Sequence, residues 1–207
     1  MTSEHYPATR LDRERAALLL IDHQVGLLLG VHDHDQEELR RNVIALARIA
    51  KAFRLPTVLT TAMADGPNGL LLPELAAELP DTPVINRDGE IDPFDNADFR
   101  AAVEATGRNQ LIIAGISTDV CTAFPAMSAV AAGYQVHGVL DASGTWNVLA
   151  EQAAALRMQA AGVVLSSAVG VGSELQHDWR AEGSQQLVDA FTSAIPFYES
   201  LMVAASR

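Results

Sequence analysis

At 207 residues and 49% apolar, the chain has the size of one domain, residues 1–207, and enough apolar side chains for a sizeable core. A formal net charge of −12 gives an acidic surface that repels phosphate backbones and anionic bilayers, which argues against nucleic acid and membrane partners. The single cysteine excludes an internal disulfide framework, and Met1-Thr2-Ser3-Glu4-His5-Tyr6-Pro7 lacks the charged-then-apolar order of a signal peptide, so the expectation is a cytoplasmic protein.

Along the chain, apolar runs of strand length alternate with segments of helical period. Ala16–Ile21 reads as a first buried strand, and Gln36 to Phe53 as an amphipathic helix with Arg40, Arg41, Arg48 and Lys51 on its wet side. Thr57–Thr61 is the next strand and Pro83–Asn86 a short one. Asn96 to Thr106 reads as a helix, capped by Asp95 or Asn96 and stopped by Gly107. Then come the strand Leu111-Ile112-Ile113-Ala114-Gly115, a small-residue helix from Cys121 to Ala132 stopped by Gly133, and a strand over Tyr134–Leu140. A helix from Val148 to Ala161 ends at Gly162, a strand follows at Val163–Leu165, and further helices are expected near Ser173–Trp179 and Ser184–Ala194. No apolar run approaches the roughly 20 residues that span a bilayer. The alternation predicts a three-layer α/β/α architecture around a central, mostly parallel sheet of about six strands.

In such a sheet, ligands bind beyond the carboxyl ends of the strands. Asp22 follows the first strand, Arg87 follows the Val84 strand, and Cys121 lies beyond the Leu111 strand. A thiol at a helix start meets free N–H groups and the positive end of the macrodipole, which favour the reactive thiolate. Each residue alone has an ordinary reading: Asp22 as a helix cap or ion-pair partner, Arg87 as a surface arginine, Cys121 as a small core hydrophobe. The three together, after three strand ends, point to nucleophilic catalysis. His23 either lines the pocket beside Asp22 or packs in the core. Phe94 and Trp146, with Phe124 and Trp179, are candidates for an aromatic wall contacting substrate, although Trp179 suits core packing or a subunit contact better. The run His32-Asp33-His34-Asp35 alternates ligand types, but before a helix it reads more often as a solvated cap, with metal binding as the lesser alternative.

Six segments resemble the isochorismatase-like cysteine hydrolases, in particular their YcaC-type branch, over nearly the whole chain. They are Leu19-Leu20-Ile21-Asp22-His23-Gln24, Gly66-Pro67-Asn68-Gly69, Asp88-Gly89-Glu90-Ile91-Asp92 with Asp95-Asn96, Gly115-Ile116-Ser117-Thr118-Asp119-Val120-Cys121, Asp141-Ala142-Ser143-Gly144-Thr145-Trp146-Asn147, and Glu174-Leu175-Gln176-His177-Asp178-Trp179-Arg180. The resemblance implies a Rossmann-like fold and a catalytic triad of aspartate, basic residue and cysteine, which falls on Asp22, Arg87 and Cys121. The basic residue of that family is usually lysine, whereas the one lysine here, Lys51, lies on a helix's wet face. A guanidinium stays protonated at working pH, so Arg87 is suited to hold Asp22 ionised rather than to relay a proton. The resemblance also implies a cis peptide at Ile116–Ser117, with the Ser117 and Cys121 N–H groups forming an oxyanion hole.

The implied reaction is hydrolysis of a small non-peptide amide or related C–N substrate through an acyl-enzyme, with Asp22 as base. Related nicotinamidases carry an Asp–His–His metal cluster after the second strand, whereas this chain has Met63-Ala64-Asp65-Gly66-Pro67-Asn68 there. Neither a catalytic metal nor another cofactor is therefore expected. Isochorismate-cleaving members lack the cysteine, so Cys121 speaks against vinyl-ether hydrolysis. The alternative is a non-catalytic oligomeric or ligand-binding member of the same fold, for which arginine in place of lysine is the best support. A thiol peroxidase is a third reading, weakened by the lack of a resolving cysteine. YcaC-type proteins also imply a homo-octamer. An apolar fraction of 49% with only 5% aromatics suits burial between subunits, with Ile195 to Met202 contributing contacts.

Overall fold

A computed structural model describes residues 10–205; the Met1–Pro7 stretch read above, and the side chains of Ser193, Ala194, Met202 and Ala205, lie outside the described residues. Six strands form one sheet in the order β3-β2-β1-β4-β5-β6. They are β1 (Ala16–Ile21), β2 (Thr57–Ala62), β3 (Val84–Arg87), β4 (Gln110–Gly115), β5 (Gln135–Val139) and β6 (Val164–Ser166), and every pairing is parallel. The order reverses between β1 and β4, so the crevice at their carboxyl ends is the switch point where doubly wound folds place ligands.

The four central strands, β2, β1, β4 and β5, serve two cores through their alternation. Ala16, Leu18 and Leu20 of β1 and Ile112 and Ala114 of β4 face one cluster; Ala17, Leu19 and Ile21, with Leu111 and Ile113, face the other. The first cluster is closed by α2 (Gln36–Ala52), α7 (Ala168–Gln176) and α8 (Ser184–Ala194), and the second by α4 (Ala97–Ala105), α5 (Ala123–Ala131) and α6 (Val148–Ala160). Three helices were not legible as such: α1 (Val25–Leu28), α3 (Pro73–Glu78) and α9 (Pro196–Ala205). The basic side of α2 is not simply wet, because Arg40 pairs with Glu74, and Arg48 and Lys51 pair with Glu78, all on α3.

Two helix boundaries differ from expectation. The helix expected at Ser173–Trp179 begins earlier, at Ala168, where the Ser167 side chain caps the N–H of Gly170. Glycines 170 and 172 argue against a helix there, but a Cβ at Gly172 would stand 2.8 Å from Leu187 and Phe191, so close packing against α8 overrides propensity. The helix expected from Cys121 starts instead as a π-helical turn over Thr118–Thr122, with α5 beginning at Ala123.

Candidate active site

Three strand ends supply the cluster. Asp22 leaves β1 with a left-handed φ of 56° and is fully buried. Such a backbone is uncommon outside glycine, though Asp tolerates it better than most residues, and it turns the chain out of the sheet beside β4. Opposite, Gly115 ends β4 where a Cβ would lie 2.7 Å from the Ile21 carbonyl oxygen, so only glycine lets the two strand ends approach this closely.

Arg87 is the last residue of β3, paired with Ala62 of β2. From there its side chain crosses β2 to reach β1, two strand spacings away, or about 9.6 Å at 4.8 Å each. Its guanidinium is fully buried and every nitrogen is engaged: Nη2 donates to Asp22 Oδ1 at 2.6 Å and also to Oδ2, Nε donates to Thr60 Oγ1 at 3.0 Å, and Nη1 donates to the Glu90 carbonyl. Thr60, on the intervening strand, passes the contact on by donating its hydroxyl hydrogen to the Ile85 carbonyl at 2.7 Å.

Cys121 lies in the π-helical turn, half-buried, and its thiol hydrogen-bonds Asp22. The Ser117 N–H also donates to the sulfur. The expected helix-start thiolate is not what the structure holds. Burial, together with the nearby Asp22 charge and the hydrogen bond to it, pushes the thiol up to about 12, outweighing the Ser117 N–H and Arg87. The Asp22 carboxyl is raised above its ordinary range because burial outweighs the opposing pull of Arg87. At rest the thiol is neutral and lies on the Asp22 carboxyl, which Arg87 holds from the other side.

The Ile116–Ser117 peptide is cis. The turn that follows is tied down from two sides. The Thr118 N–H donates to the Gly144 carbonyl at 3.0 Å, and Thr145 Oγ1 donates to Asp119 Oδ1 at 2.7 Å. Beneath it, the Gly115 N–H donates to Ser143 Oγ, and Thr122 Oγ1 donates to the Gly115 carbonyl. Thr60, Ser143, Thr122 and the Thr145–Asp119 pair are therefore positioning residues that sequence reading missed. Hydroxyls inside runs otherwise apolar enough to be buried were the available signal.

The other expected site residues divide. Phe94, in the short 3-10 turn Pro93–Asp95, packs with Cys121 and Phe124 against the same core cluster, edge-on to Phe99 at 5.4 Å. Trp146 is 44% exposed and lies against Gly30, immediately after the threonine that fastens Asp119. Of its two readings, His23 takes the packed one. It is fully buried, Nε2 donates to the Ala142 carbonyl at 2.9 Å, and burial lowers its pKa to about 4, so it is a neutral core residue tying the end of β1 to the turn after β5. In the His32–Asp35 run, Asp35 caps α2 by accepting from the Glu38 N–H and His32 is exposed, but Asp33 has a fully buried side chain and is no solvated cap.

Residues 16–169 match the model of the isochorismatase domain. The chain belongs to the isochorismatase family. It is 50% identical to the probable hydrolase YcaC of Escherichia coli over 96% of this chain and 95% of that protein. A crystal structure of E. coli YcaC, described as an octameric hydrolase of unknown specificity, superposes with a TM-score of 0.93 at 49% identity, covering 97% of this chain and 98% of that one. YcaC from Pseudomonas aeruginosa, solved with hexane-2,5-diol and covalent acrylamide, gives a TM-score of 0.94 at 47% identity, covering 98% of this chain and all of the other. Within the isochorismatase family the resemblance read from the six motifs thus extends to the whole fold.

Proposed function

We propose that this isochorismatase-family protein is a cysteine-dependent hydrolase of a small non-peptide amide or related C–N substrate. The observation that carries the reading is the Cys121 thiol hydrogen-bonded to an Asp22 carboxylate whose charge is held by buried Arg87. With the thiol at about 12, free thiolate is scarce at neutral pH, so proton removal accompanies attack. The thiol proton passes to Asp22 as sulfur bonds the substrate carbon, and the carbonyl oxygen takes up the electron pair. The Ser117 N–H, which faces the sulfur at rest, and the Cys121 N–H are the proposed oxyanion donors; such a donor is worth on the order of 10²–10³ in rate. Collapse breaks the C–N bond, Asp22 returns the proton to the leaving amine, and an acyl-enzyme remains. Water then gives a proton to Asp22 and attacks the thioester, releasing the acid, and the sulfur recovers its proton from Asp22. The residues invoked need no metal or other cofactor for these steps, and Phe94 and Trp146 form the substrate wall.

Two relatives support the reading. E. coli YcaC is named a probable hydrolase, and P. aeruginosa YcaC carries acrylamide covalently, as a fold holding a nucleophile does. We extend the octamer of E. coli YcaC to this chain as well, since α9 exposes Phe197 at 65% and Leu201 at 47% on the stretch expected to make contacts. No described helix is long and apolar enough to cross a membrane, and a cytoplasmic location is proposed with the rest.

A turnover screen of small amides, ureas and carbamates, run on wild type and Cys121→Ala, tests the function. Hydrolysis of one class by wild type, lost by at least about 10⁴-fold in Cys121→Ala with unfolding unchanged, is the expected result. Activity surviving in Cys121→Ala would overturn it. Absence of turnover across the panel, with no selective labelling of Cys121, would favour the non-catalytic binding protein.

A further inference from the structure

A second polar cluster stands outside the proposed catalytic residues, where the loop before α2 meets the first turn of α6. Asp33 Oδ2 lies 3.7 Å from His34 Nε2, and Glu151 Oε1 lies 3.6 Å from the same nitrogen. These separations are too long for hydrogen bonds. Neither Asp33 Oδ2 nor His34 Nε2 has a hydrogen-bond partner, although both atoms are buried and the Asp33 side chain is 0% exposed. A buried carboxylate oxygen left unsatisfied is costly, and one aimed at an equally unsatisfied imidazole nitrogen needs a physical reason.

A shared cation supplies one. Ligands about 2.1 Å from a tetrahedral zinc ion stand about 3.4 Å from one another, so the two spacings to His34 Nε2 need to close by only a few tenths of an ångström. The three candidate ligand atoms all lie within 4.8 Å of one another. One imidazole with two carboxylates suits a borderline ion of the zinc class, whereas calcium and magnesium prefer oxygen alone. Asp33 is already oriented for the role, because its other oxygen, Oδ1, accepts the Thr145 N–H at 2.8 Å. Asp141 also interacts with His34.

We infer that Asp33, His34 and Glu151 form a binding site for a divalent transition-metal ion of the zinc class, clipping the loop before α2 to α6 and leaving a coordination position for water. The ion is structural and is separate from the proposed hydrolysis, which needs neither His34 nor Glu151. Thr145 joins the two regions, with its N–H on Asp33 and its hydroxyl on Asp119 of the cysteine-bearing turn, so filling the site steadies the rim next to Trp146.

Zinc chloride titrated into chelator-treated full-length protein, followed by calorimetry and by melting temperature, tests the site. Expected are one ion per chain and a raised melting temperature. Affinity should fall more than about tenfold in His34→Ala and in Glu151→Gln, both partly exposed positions where folding is checked by circular dichroism. His32→Ala and Cys121→Ala should bind as wild type does, which separates this site from the neighbouring exposed histidine and from the thiol. Wild type that binds no zinc would overturn the inference, as would equal affinity in His34→Ala and Glu151→Gln or loss of binding confined to Cys121→Ala.

Discussion

At the tip of β1 the Asp22 carboxylate rests on Arg87, every guanidinium nitrogen is spoken for, and the Cys121 thiol completes the set. Along the same rim, where α2 and α6 begin, the equally buried Asp33 has one oxygen on Thr145 and the other without a hydrogen bond, 3.7 Å from His34 Nε2. The first cluster is closed by the chain's own groups, so its proton affinities are set by the fold. The second is left open, and what completes it has to come from outside. Substitutions in the closed cluster should therefore cost stability, whereas those in the open cluster should cost little until its ligand is present.

The largest expected effect follows from breaking the closed cluster at its cation. Arg87→Ala leaves a buried carboxylate with no counter-charge and should lower the unfolding free energy by about 3–5 kcal/mol in urea titration, along with activity. Arg87→Lys, which keeps the charge and loses the fork that holds Asp22 and Thr60 together, should retain part of both.

Next in size is the pH dependence set by His23. Its pKa is depressed from 6.5 to about 4, so the stability it lends is complete above its ordinary value and is lost as pH falls from about 6.5 through about 4. Unfolding measured between pH 7 and 4 should show an acid loss of about 3 kcal/mol that is absent from His23→Gln. Asp22 works in the opposite sense: its raised pKa favours the folded state at low pH and does so less as pH rises through the raised value. The difference between wild type and His23→Gln isolates the histidine.

Thr60→Val should cost about 1–2 kcal/mol, since it removes the acceptor for Arg87 Nε and leaves the Ile85 carbonyl without that donor. Smallest of all, His34→Ala and Glu151→Gln in metal-free protein should stay within about 0.5 kcal/mol of wild type. A large loss there would show that the open cluster is already satisfied and would remove the contrast.

Much of this arrangement was legible before the structure. Buried runs such as Ala16–Ile21 and Leu111–Gly115 have no other home than a parallel sheet, and in such a sheet the residues after strand ends converge, which singled out Asp22, Arg87 and Cys121. What stayed hidden depends on register and direction. That Thr60 lies under the Arg87 side chain requires knowing that β2 stands between β3 and β1. That His23 turns into the core depends on the left-handed step at Asp22 just before it. The thiol's high pKa could not be read from its place near a helix start, because burial and the Asp22 charge outweigh what a helix start offers. Asp33 and Glu151 meet only because α2 and α6 both begin at the carboxyl end of the sheet, and no local pattern announces that.

The most direct test of the central claim, that Asp22 activates a buried neutral thiol, is the rate of Cys121 labelling by acrylamide as a function of pH. It is measured on native wild type, native Asp22→Asn and denatured protein. Native wild type should label faster than denatured protein at neutral pH, and its rate should rise with ionisation of a carboxyl above the ordinary range near 4 and then level off, whereas Asp22→Asn loses the advantage. Native labelling slower than in the denatured chain, indifferent to Asp22→Asn and climbing only as pH approaches 12, would show Cys121 to be an ordinary buried thiol and contradict the claim.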